Sequence, residues 1–69
     1  MSKSLNERIK AGMEMYLEGQ ICKYKMNVEV LLHNQAGVAE HPDLMETIET
    51  ELGKIADYED KLEVLKKHF

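Results

Sequence analysis

The chain has 69 residues, of which 43% are hydrophobic and 32% charged, and a formal net charge of −4. That length holds one domain at most, and the apolar content is too high for a disordered segment. The negative balance removes the global positive field that draws proteins to nucleic acid. Cys22 is the single cysteine, so a disulfide framework is excluded and a reducing compartment fits best. A compact chain this small buries roughly 60% of its unfolded surface, so it needs a staple, a metal or a second subunit.

The opening stretch, Met1 to Lys10, lacks the apolar run of a signal peptide. No segment approaches the ~20 apolar residues of a membrane span. These absences predict a cytoplasmic protein.

Ser4-Leu5-Asn6-Glu7 reads as a capping box. The Ser4 hydroxyl can accept from the Glu7 amide while the Glu7 carboxylate reaches back to Ser4. Apolar residues then recur at Leu5, Ile9, Met13, Leu17, Ile21, Tyr24, Val28 and Leu31, in steps of four or three that keep one helical face. Helix 1 is predicted over about residues 4–33.

The next segment is "HNQAGVAEHPD", His33 to Asp43. His33, Glu40 and His41 offer metal-ligand chemistry, but none of the spacings of known zinc or di-iron motifs is present. A turn over residues 34–41 is the better reading, with Gly37 free to bend and Pro42 opening helix 2. No metal and no cofactor is expected.

Helix 2 is predicted over about residues 42–68. Asp43 and Glu46 stand at its positive end; Lys66, Lys67 and His68 stand at its negative end. Leu44, Ile48, Glu51, Ile55, Tyr58, Leu62, Leu65 and Phe69 follow heptad spacing, with Glu51 the one polar member. A short connector makes the two helices antiparallel neighbours. Matching the stripes in reverse order sets Leu44 against Leu31, Ile48 against Val28, Glu51 near the Tyr24 hydroxyl, Leu62 against Met13 and Phe69 against Leu5.

Helix 1 also carries a second set, Ala11, Gly12, Met15, Gly19, Cys22, Met26 and Val30, away from its first stripe. A helix apolar on two sides is buried on two sides. Gly12 and Gly19 each cost about 1 kcal/mol against alanine in a helix interior, a cost that close packing would offset. The expected fold is therefore all-α: an antiparallel two-helix hairpin that dimerises into a four-helix bundle, with Ala11, Gly12, Met15, Gly19, Cys22 and Met26 at the interface.

Catalysis is not expected. Cys22 lies mid-helix, far from His33, and no nucleophile, base and orienting group share a spacing that a helix would bring together. Asp57-Tyr58-Glu59-Asp60 reads as a solvated face. Glu46, Glu49, Asp57 and Asp60 offer a charged surface for a protein partner. Arg8, Lys10, Lys23 and Lys25 on helix 1 suggest the alternative of a small nucleic-acid-binding regulator. Pairing with helix-2 acids is the preferred account of them, because no aromatics interleave for base stacking.

Gly37-Val38-Ala39-Glu40-His41 before helix 2, and Ile55-Ala56-Asp57-Tyr58-Glu59-Asp60-Lys61-Leu62 within it, lie in a chain that resembles short uncharacterised proteins of T4-like phages of marine cyanobacteria. The likeness runs over nearly the whole length. It implies a viral origin and expression in the host cytoplasm. It supplies no activity and no site residues. The expected role is a non-enzymatic interaction module, an accessory protein binding a host or viral protein.

Overall fold

A computed structural model describes residues 4–33 and 43–69. They form two α-helices, α1 over Leu5–His33 (29 residues) and α2 over Leu44–His68 (25 residues). The predicted turn, with Gly37, Glu40, His41 and Pro42, lies outside the described residues.

α1 starts where the capping box places it. The Glu7 amide donates to Ser4 Oγ at 3.2 Å, and the Ser4 hydroxyl donates to Glu7 Oε1 at 3.1 Å. The return arm thus runs through the hydroxyl rather than through the Ser4 amide. At the other end His33 Nδ1 lies 2.7 Å from the Glu29 carbonyl oxygen, so its ring ties off the last turn. Ser4→Ala should lower stability by about 1 kcal/mol, the usual worth of such a cap. Thermal melts followed by circular dichroism check it, and an unchanged midpoint would show that the first turn is frayed.

α2 begins at Asp43, which makes no side-chain capping bond; its carbonyl accepts the first helical bond, from Thr47 N at 2.9 Å. Asp43 and Glu46 therefore act at the helix start through charge. The helix ends on Phe69, whose amide donates to the Leu65 carbonyl at 3.1 Å.

The helices run antiparallel along one seam. Met13 shares a groove with Leu65 and Phe69, Ile21 with Leu62, and Tyr24 stacks on Tyr58. The half-buried positions of α2 are Leu44, Ile48, Glu51, Ile55, Tyr58, Leu62 and Leu65, the heptad stripe itself. On α1 the middle of the stripe, Leu17, Ile21, Tyr24, Val28 and Leu31, turns inward.

The register differs from the expected one by a heptad. Tyr24 faces Tyr58 rather than Glu51, and Leu62 lies beside Ile21 rather than Met13. Leu5 and Phe69, expected to meet, are 68% and 80% exposed. A seam with period seven offers the same faces after each heptad, so periodicity alone does not choose among them. The first two turns of α1 consequently overhang the end of α2, and Ile9 remains 60% exposed.

The result is a rod with extents of 56 × 20 × 11 Å and a radius of gyration of 16.4 Å, against ~11 Å for a compact globule of this length. Leu17, at 5% exposure, is the only buried residue among those described. The accessible surface is 5741 Å², whereas a compact protein of this mass would expose roughly 4,450 Å².

Candidate functional site

The structure presents three surfaces built by the helix geometry. The first is the side of α1 turned away from α2. At 100° per residue, Gly12, Met15, Gly19, Cys22, Met26 and Val30 fall within an arc of about 80°, centred opposite the seam. Met15 is 72% exposed, Val30 64% and Met26 54%. Cys22 is exposed too. A Cβ added at Gly12 or Gly19 would meet nothing within 4 Å, so both glycines stand in open space. Ala11, assigned to this surface from sequence, is half-buried on its flank instead. Its angle places it between the two stripes.

The second surface is the outer face of α2. Glu46, Glu49, Asp57 and Asp60 are all exposed and lie within an arc of about 80° opposite the seam. They form one acidic ridge roughly 21 Å long at 1.5 Å per residue. Gly53, at the middle of the ridge, has open space where a side chain would be.

The third surface was not legible in the sequence. Tyr24 and Tyr58 stack across the seam with centroids 5.9 Å apart and planes 14° from parallel. Lys23 Nζ lies 4.9 Å and Lys54 Nζ 5.1 Å from the Tyr24 centroid, and Lys61 Nζ lies 4.9 Å from that of Tyr58. Each ammonium is attracted by the negative face of a ring, and the contact covers the lysine stem as well. Two of the three lysines come from α2, so the spacing of cations along α1 does not reveal the group. Lys23 was expected to pair with a helix-2 acid; the ring of its own neighbour, Tyr24, takes it instead.

The four helix-1 cations do not form a stripe. Arg8, Lys10, Lys23 and Lys25 emerge in four directions spread around the helix at 100° per residue. Lys10 is half-buried, and Lys25 lines a groove with Glu18 and Glu29.

Glu51 sits in the seam as expected, but Tyr24 does not satisfy it. Its Oε2 is buried and has no hydrogen-bond partner among the described residues. The heptad shift explains the difference, since it carries Tyr24 to Tyr58.

Among the described residues no group of three His, Cys, Asp or Glu side chains is placed to hold a metal ion. His33 is engaged with the helix end, and Glu40 and His41 lie outside those residues. Among the described residues the grooves along the seam are open to solvent, and one of them runs beside Ile21 and Leu62. Among the described residues no helix is long and apolar enough to cross a membrane.

The Tyr24–Tyr58 contact should be measurable on its own. A double-mutant cycle with Tyr24→Leu and Tyr58→Leu should give a coupling of about 0.5–1.5 kcal/mol, the usual worth of an aromatic pair beyond area. Zero coupling would mean that the hairpin sits in the other heptad register.

Comparison with protein-family models, with curated proteins and with solved structures gives no match.

Proposed function

We propose that the chain is a non-enzymatic helical interaction module that self-associates through α1 and offers the acidic ridge of α2 to a basic protein partner. One observation carries the reading: the hairpin buries a single leucine among its described residues, while an apolar face of α1 stands open. A rod with so little core is marginal alone. Two-fold dimers are the commonest remedy among soluble proteins. Because the open face of α1 is centred opposite the seam, joining two copies along it sets the four helices side by side, the α1 pair inside and the α2 helices outside, rather than in the square four-helix bundle expected from the sequence. Both acidic ridges then face solvent and can steer a positively charged protein surface. With the phage resemblance, the role is an accessory protein acting on a host or viral protein in the host cytoplasm.

The test is in two steps. Sedimentation at micromolar concentration should give a dimer, and Gly19→Leu should raise its dissociation constant at least tenfold by holding the backbones apart. A folded monomer refutes self-association. Affinity capture from host lysate at low and moderate salt then tests the ridge. Proteins held by the wild type should be released when Asp57 and Asp60 are both changed to lysine. Capture that survives the reversal would move the binding surface elsewhere.

The second reading, a nucleic-acid-binding regulator, is favoured by the tyrosine pair ringed by Lys23, Lys54 and Lys61. It predicts single-strand affinity with a salt slope of about −2, as three neutralised phosphates would give. Lys54→Ala with Lys61→Ala should abolish the shift in a gel titration. No shift at low salt leaves the interaction module as the sole reading.

A further inference from the structure

We infer that a second copy of this chain docks antiparallel on α1, with the two-fold axis passing at Gly19 and Gly12 of each copy receiving Met26 of the other. This rests on the self-association proposed above and adds its orientation and register.

The area is suitable. The chain exposes roughly 1,300 Å² more than a compact protein of its mass, and a standard stable interface covers about 800 Å² on each partner. The far side of α1, where Met15 is 72%, Val30 64% and Met26 54% exposed, is part of that open surface.

The order of side chains then decides the direction. Gly12, Met15, Gly19, Cys22 and Met26 alternate in steps of three and four, the spacing of a packing seam. In a parallel pair every residue meets its own copy. Glycine would face glycine at two levels, leaving voids, while methionine would face methionine at two others. Arg8 would also face Arg8. Voids and crowding on one interface are both destabilising.

In an antiparallel pair centred at Gly19, residues equally far from the centre meet. Gly12 and Met26 lie seven positions to either side, so the smallest residue opposes the longest apolar one. The open space at Gly12 is where a methionine would enter. Gly19 meets Gly19 at the crossing, where the absence of side chains lets the helix axes approach toward the lower end of the usual 8–10 Å. Arg8 comes level with Val30 and beside Glu29 of the other copy, which brings opposite charges together at each end of the interface.

Cross-linking reads this register directly. In a Cys22→Ser background, Gly19→Cys should form an intermolecular disulfide in high yield under mild oxidation. The Cα atoms at the axis would lie within the ~4.4–6.8 Å that a disulfide spans. Gly12→Cys in the same background should not self-link, because the two sites would stand about 21 Å apart along the helices. Mixed with Met26→Cys in that background, it should give a heterodimer instead. The open Cβ positions at both glycines allow these substitutions without a clash. Efficient self-linking at both Gly12→Cys and Gly19→Cys would overturn the antiparallel order in favour of a parallel one. A dimer in sedimentation that links at neither position would overturn the docking face while leaving self-association standing. A monomer in sedimentation would defeat self-association itself.

Discussion

Leu17→Ala should lower the thermal midpoint of the protein by about 10–40 °C. Leu17 is 5% exposed and lies in the middle of α1, where both helices are continuous. Truncating a buried leucine costs about 2–5 kcal/mol, from lost transfer energy and from the cavity left behind. In a chain of this size each kcal/mol moves the midpoint by about 4–8 °C. The other stripe residues are only half-buried, so their truncation should cost less. Alanine is the better helix former, and any loss must therefore come from packing rather than from the helix. Leu5→Ala is the internal control. Leu5 belongs to the same stripe but is 68% exposed on the overhang, so its truncation should change stability by less than about 0.5 kcal/mol. If Leu5→Ala proved as damaging as Leu17→Ala, the overhang would be covered and the helices would sit in the other register. Because association adds to apparent stability, both variants are compared at one protein concentration.

The faces of both helices were legible, because hydrophobic spacing reports orientation about a helix axis. All seven α2 positions from Leu44 to Leu65 that the stripe named are the half-buried ones. The register was not legible, because one heptad of sliding maps apolar onto apolar. The choice is made by contacts that cross the seam, and the Tyr24–Tyr58 stack is the most specific of them. For the same reason the Lys23, Lys54 and Lys61 group was missed: its members are far apart in sequence, and only the register brings them to one pair of rings. The acidic ridge was legible, since Glu46, Glu49, Asp57 and Asp60 share a face by spacing alone. The open face of α1 was legible as an apolar stripe, apart from Ala11 on its flank.

Glu51 ties the register to stability, and Glu51→Leu should raise stability by about 1–2 kcal/mol while blurring the register. Its Oε2 is buried without a hydrogen-bond partner among the described residues. A buried polar atom left unpaired costs about 1–3 kcal/mol, and replacing it with an apolar group of similar size removes that cost. Leucine also completes the heptad stripe from Ile48 to Ile55. At about 4–8 °C per kcal/mol the thermal midpoint should rise by roughly 5–15 °C. A lower midpoint would mean that the carboxylate has a partner whose loss outweighs the gain. The second consequence is conformational. A single polar residue in a packing seam selects one alignment at some cost in stability. In the alternative register Glu51 would lie beside Tyr24, and Phe69 would cover Leu5. With leucine at position 51 the seam is apolar throughout, and the two alignments differ mainly by the tyrosine stack. The variant should therefore show doubled ring resonances for Tyr24 and Tyr58 in NMR spectra, where the wild type shows one set. Adding Tyr58→Leu should then remove the remaining preference and shift the populations toward the alignment that joins Phe69 to Leu5. A single, unchanged set of tyrosine resonances in Glu51→Leu would show that the connection between the helices, rather than the seam, fixes the register.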